Sequence, residues 1–128
     1  MIYAEYDIYQ KMNINPDSVF SGLANSTRLR CIVLLLKHRE LCVCELTQAI
    51  GAAQPSMSRN LAQLREVGLV SDRREGQWIY YRINPDLPEW VLKVLKATAL
   101  GSENTEPYRS DKSVLAGMLD GSESSRCA

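Results

Sequence analysis

Residues 43–68 constrain the fold more than any other stretch. Two apolar-periodic segments each end on a glycine, Gly51 and Gly68, and Pro55 opens the second after only three intervening residues. Glycine is favoured just past a helix end and proline is tolerated in a helix's first turn, so this stretch reads as two helices joined by a tight turn. Val43, Leu46 and Ile50 line one face of the first, and Met57, Leu61 and Leu64 line one face of the second. Ser56, Ser58, Arg59, Asn60 and Gln63 are left facing outward.

The flanks extend the pattern. Pro16 opens a short helix running to Leu23, and Asn25 or Ser26 caps a longer one in TRLRCIVLLLKHR, where Leu29, Ile32, Val33 and Leu36 recur at helical spacing. Glu40 to Cys42 is a brief extended entry to the next helix. After Gly68, LVSDRR and QWIYYRI alternate like strands and meet at Glu75-Gly76, which predicts a hairpin with a charged tip. From Asp86 a last helix carries Leu87, Trp90, Val91, Val94, Leu95 and Thr98, while Leu92 and Leu100 form a second apolar face that wants its own partner. Residues 16–100 thus make one domain. Residues 1–15, with Tyr3, Tyr6 and Tyr9, are expected to serve dimerisation together with that last helix. Residues 101–128, rich in Ser, Gly and acids, are expected to be a mobile tail despite a weak helical pattern at Ser113 to Leu119.

At 128 residues, 45% hydrophobic and 23% charged, the chain is sized and composed for one globular domain. Its longest apolar run, CIVLLL, falls far short of the ~20 residues that span a bilayer, so a cytoplasmic protein without a membrane partner is expected. The four cysteines, Cys31, Cys42, Cys44 and Cys127, lack the spacing of a disulfide framework, and reduced thiols are the expectation. Zero net charge means that any attraction to nucleic acid must be local. Residues 54–82 hold Arg59, Arg65, Arg73, Arg74 and Arg82 against Glu66, Asp72 and Glu75, a mildly basic middle between acidic ends.

Helix, helix, turn, helix, hairpin, helix is the order of a mainly α winged helix-turn-helix with a small β-hairpin. In that architecture the helix after the turn enters the major groove of double-stranded DNA and the hairpin lies along the backbone. The candidate contacts are Gln54, Ser56, Ser58, Arg59 and Asn60 on the helix, with Arg73, Arg74 and Gln77 on the hairpin.

From about Val19 to about Lys96, the segments TRLRCIVLLL, ELCVCEL and QPSMSRNLAQLREVGLVSDRREGQWIYYRINPDLPEW follow one another in an order that resembles the ArsR family. These are small bacterial winged-helix repressors sensing toxic metal ions and metalloids, and the CVC motif resembles the arsenical-resistance branch. The resemblance implies a homodimer that represses its own resistance operon and leaves operator DNA when trivalent arsenic (arsenite) or antimony (antimonite) binds Cys42 and Cys44. Three positions depart from the pattern. Thr47 stands where many members have a third cysteine, Ala53 where a serine usually caps the recognition helix, and Asn60 where histidine is frequent. A lost serine cap is worth ~1 kcal/mol.

Two thiolates suit a soft centre and fall short of a four-ligand structural zinc site. Trivalent arsenic takes three donors in a pyramid. Cys42 and Cys44 supply two, leaving the third to an exogenous thiol, hydroxide, Cys31 or Cys127; Cys31 sits in CIVLLL as a small core residue, and a glutathione-like thiol or water is favoured. A thiol near a helix N-terminus, with Arg39 close by, is expected to ionise readily, so thiol oxidation is an alternative signal. An arsenate-reducing enzyme is disfavoured, because ELCVCEL has no anion-cradling glycine loop. On one regular helix Cys42 and Cys44 would splay by ~200°, so that gripping one ion would require unwinding the first turn. In an extended chain the same spacing shares a face.

Overall fold

The computed structural model describes residues 14–120. Four helices precede the hairpin or lead into it: α1 (Pro16–Leu23), α2 (Ser26–Lys37), α3 (Val43–Ile50) and α4 (Gln54–Val67). Strand β1 (Leu41–Cys42) lies between α2 and α3, and β2 (Val70–Glu75) and β3 (Trp78–Ile83) form the hairpin. Helices α5 (Glu89–Gly101) and α6 (Tyr108–Asp120) follow. This is the expected winged helix-turn-helix order with additions at both sides of the wing.

Local chemistry sets the boundaries. Asn15 and Asn25 cap α1 and α2, their side chains accepting from the backbone N–H groups of Ser18 and Arg28 at 3.0 Å each. Gly51 and Gly68 end α3 and α4 at φ +79° and +100°, a left-handed conformation costly for any residue with a Cβ. Ala53 gives α4 no side-chain cap, as its missing hydroxyl predicts. Helix α5 begins at Glu89, three residues later than expected, because Asn84 Oδ1 accepts from Asp86 N–H at 2.9 Å in a local turn and Pro88 occupies the N-cap.

The sheet is antiparallel in the order β1-β3-β2, so the extended entry at Leu41–Cys42 is a third strand on the wing. Leu41 pairs with Tyr81 and Cys42 with Tyr80, while Arg73 faces Tyr80 from the other side. Beneath it lies one core in which Ile32, Leu34, Leu46, Met57, Leu61, Leu64 and Leu95 are fully buried. Each such side chain contributes about 1.5–3 kcal/mol relative to exposure.

The expectation of a mobile tail is corrected over Tyr108–Asp120. That segment is helical and docked against α2 and α3, with Leu115 fully buried. Asp111, 3% exposed, accepts two bonds from Arg30, from Nε and Nη2 at 2.8 Å each. The proposed dimerisation segment lies almost wholly outside the described residues, as does the tail beyond Asp120. Among the described residues no single helix is long and apolar enough to cross a membrane.

Candidate thiol site and nucleic-acid interface

Helix α3 starts at Val43, so Cys42 belongs to β1 and Cys44 to the helix. Cys42 has extended backbone (φ −84°, ψ 163°) and forms the N-cap. This junction corrects the expectation that the pair diverges: Cys42 Sγ and Cys44 Sγ stand 3.6 Å apart with the helix intact. At metal–sulfur bonds of ~2.3 Å one atom would span that gap at a bond angle of roughly 100°, which fits a pyramidal centre. Glu45 holds the junction by accepting from Cys42 N–H at 2.9 Å through Oε1.

The expected easy ionisation is also corrected. Cys42 is 4% exposed, and burial pushes its thiol above the ordinary value, outweighing the backbone N–H groups of Glu45 and Cys44 that favour the thiolate. Cys44 is half-buried and disulfide-bonded in this structure. A 3.6 Å gap far exceeds the ~2.05 Å of an S–S bond, so Cys42 is not its partner. Both sulfurs could hold one soft centre only with Cys44 reduced.

Among the described residues the remaining soft or polar candidates are spoken for, and Cys127 lies outside them. Cys31 is fully buried with Sγ 3.4 Å from Met57 Sδ, and burial raises its thiol to about 12, in keeping with a packing role. Thr47 Oγ1 donates to Val43 O at 2.7 Å. Among the described residues no three His, Cys, Asp or Glu side chains gather as a metal site.

On α4, Gln54, Ser58 and Arg59 are exposed on the N-terminal half, and Ser56 is half-buried. Asn60 instead serves as a brace: its Nδ2 donates to Ser56 O at 3.0 Å, and its Oδ1 accepts from Arg28 Nη1 at 3.1 Å. Arg28 also bonds Gln63, Gly22 O at 2.7 Å and Ser21 O at 3.3 Å, tying α1, α2 and α4 together. Sequence reasoning missed Arg28, since only the fold brings these partners to it.

On the wing, Arg74 and Gln77 are exposed, and Arg74 has no ion pair among the described residues. Arg73 is engaged differently. Its guanidinium bonds both oxygens of Glu40, at 2.6 and 2.8 Å, and Glu75 at 2.6 Å, and lies 4.5 Å over the Tyr80 ring. Glu40, held below the usual carboxylate range chiefly by Arg73, was not a candidate in the sequence. It sits two residues before Cys42.

A sequence profile of the bacterial regulatory protein arsR family matches residues 25–72. Over 83 residues, 65% of this chain, it is 53% identical to the arsenic resistance transcriptional regulator ArsR1 of Pseudomonas putida, and spans 65% of that protein's length. ArsR2 of the same organism is 52% identical over 85 residues, covering 66% of this chain and 74% of ArsR2. The crystal structure of the AntR antimony-specific transcriptional repressor superposes with a TM-score of 0.57 at 33% identity, covering 69% of this chain and 77% of AntR. Fold, motif and relatives agree: the chain belongs to the ArsR family of bacterial regulatory proteins.

Proposed function

We propose that this protein is a homodimeric, cytoplasmic repressor that holds double-stranded operator DNA of an arsenic-resistance operon and leaves it when trivalent arsenic or antimony bonds Cys42 and Cys44. The observation that carries the reading is the 3.6 Å approach of the two sulfurs across the β1–α3 junction. The names of the regulators it resembles support it. Gln54, Ser56, Ser58 and Arg59 face the major groove in this reading, with Asn60 bracing them, and Arg73, Arg74 and Gln77 track the phosphates. Trp90 and Leu100, exposed at 40% and 71% on α5, offer apolar surface for the second subunit.

Release follows without unwinding α3. A bond to Cys42 competes with the sulfur's place over the α3 N-terminus and tugs β1, which is paired to β3 of the wing and clamped to Arg73 through Glu40. The inducer then favours the DNA-free arrangement, and DNA opposes the inducer equally by linkage. Thiol oxidation is a second reading, favoured by the disulfide on Cys44.

Fluorescence anisotropy with duplex DNA from upstream of the protein's own coding sequence tests both readings. Arsenite is expected to release the reduced wild type and to fail with Cys42→Ser and Cys44→Ser. Equal release of the double variant would refute the site; release by peroxide but not by arsenite would favour the oxidation reading.

A further inference from the structure

We propose that Arg30 and Asp111 are positioning residues for operator recognition: their ion pair joins α6 to the last carbonyl of α3 and thereby sets where the turn delivers α4. The inference rests on the operator-binding reading above and adds to it two side chains outside the proposed DNA contacts.

The turn from α3 to α4 runs through Gly51, Ala52 and Ala53 and has little of its own to hold it. Gly51 is left-handed at φ +79° with nothing within 4 Å of where a Cβ would stand, and Ala53 offers no side-chain cap. Among the described residues, one hydrogen bond ties residues 50–53 to an element outside α3 and α4: Arg30 Nη2, on α2, donates to Ile50 O at 3.1 Å. Ile50 is the last residue of α3 and is 8% exposed. Its carbonyl has no partner within its own helix and little access to water, so the guanidinium supplies the bond it lacks.

That guanidinium is fixed from the other side by α6. Asp111 accepts from Arg30 Nε and Nη2 at 2.8 Å each, a two-pronged pairing that sets the plane of the guanidinium as well as its distance. A buried ion pair is a poor source of stability, because desolvation of two charges offsets most of their attraction, and apolar side chains of similar volume would pack as well. Leu115 already provides α6 with such packing. What apolar packing cannot do is satisfy the Ile50 carbonyl and hold its direction. The contribution of the pair is therefore geometric. Two residues earlier on α2, Arg28 bonds Asn60 and Gln63 of α4. Helix α2 thus grips the helix-turn-helix unit at two points, and the grip on the end of α3 is the one that depends on α6.

A turn that is out of place shifts all base-edge contacts of α4 together, whereas attraction to phosphates survives the shift. The test is fluorescence anisotropy of the reduced full chain with a duplex from upstream of its own coding sequence and with a scrambled duplex of equal length. Asp111→Asn keeps the size of the side chain and removes a negative charge, which by charge alone would tighten binding to both duplexes. On the upstream duplex the opposite is expected: Kd should rise about tenfold, comparable with the loss of one matched base pair, while binding to the scrambled duplex stays within about twofold. Arg30→Lys, which keeps the charge but lacks the planar fork, should do likewise. Val91→Ala, in the core beneath α5, should lower the urea midpoint and leave the preference between duplexes intact. Unchanged preference in Asp111→Asn and Arg30→Lys would overturn the assignment, and so would an equal loss of preference in Val91→Ala, which would reduce the effect to stability. A wild type that binds both duplexes alike would overturn the operator reading itself, and the assignment with it.

Discussion

Helix α4 and the wing are the two halves of the surface proposed to face DNA, and they are anchored in opposite ways. Helix α4 is braced from inside: Met57, Leu61 and Leu64 are fully buried, and Arg28 holds Asn60 and Gln63 from the next layer. None of these contacts involves β1. The wing is anchored through β1 itself, by the pairing of Leu41 and Cys42 with β3 and by the Glu40–Arg73 pair. The strand that steadies the wing therefore carries one sulfur of the thiol site. Of the two halves, the wing is the one that a bond to Cys42 reaches directly, and α4 is the one built to hold still.

The largest effect should come from the brace. Arg28→Met removes charge-assisted bonds to two backbone carbonyls and two amide side chains, and should cost about 2 kcal/mol in urea denaturation. Operator affinity should fall with it as α4 loosens. Arsenite binding by the cysteines should not change, and a parallel loss there would break the distinction between the two halves. Ala53→Ser should act in the opposite sense. Ala53 leaves the α4 N-terminus without a side-chain cap, so a serine there should raise stability by about 1 kcal/mol in the same titration. An unchanged midpoint would mean that the exposed N-terminus is already satisfied by water.

Much of this fold was legible because its boundaries are written in single residues. Gly51, Pro55 and Gly68 each mark a helix end whose chemistry is local, and each stands where the sequence places it, while Asn25 proves to be the cap of the two that the sequence offers. What escaped was non-local. Strand β1 is two residues long, too short to show a period, and it exists because β3 offers it partners. Helix α6 has a composition that reads as solvent-exposed, yet Asp111 finds Arg30 across 81 positions and Leu115 finds the core. The thiol pair stands out in the sequence and takes its expected role from the family resemblance, but its geometry depends on where the helix starts. Had α3 begun one turn earlier, the sulfurs would diverge. Burial, which no local pattern displays, reversed the expected ionisation of Cys42.

The smallest effect, and the sharpest test of the comparison, concerns Glu40. In this structure Arg73 bonds Glu40 and Glu75, so any phosphate that recruits Arg73 must displace a carboxylate. Glu40→Gln removes the charge of the competitor nearest the cysteines. Operator binding should tighten a few-fold, and the slope of log affinity against log salt should steepen by up to about one, the share of a single further phosphate contact. The arsenite-induced release should shrink at the same time, because β1 has lost its clamp on the wing. Acid should mimic the substitution only late. Arg73 lowers the Glu40 pKa below its ordinary 4.5, so the pair is fully formed above 4.5 and is lost as pH falls through the lowered value. Between pH 8 and pH 5.5 the contribution of Glu40 to release should stay flat, whereas added salt should weaken it, since the pair is partly exposed. Unchanged affinity, salt slope and release in Glu40→Gln would show that the wing is indifferent to β1, and would return the route from thiol to DNA to the packing of α3 on α4.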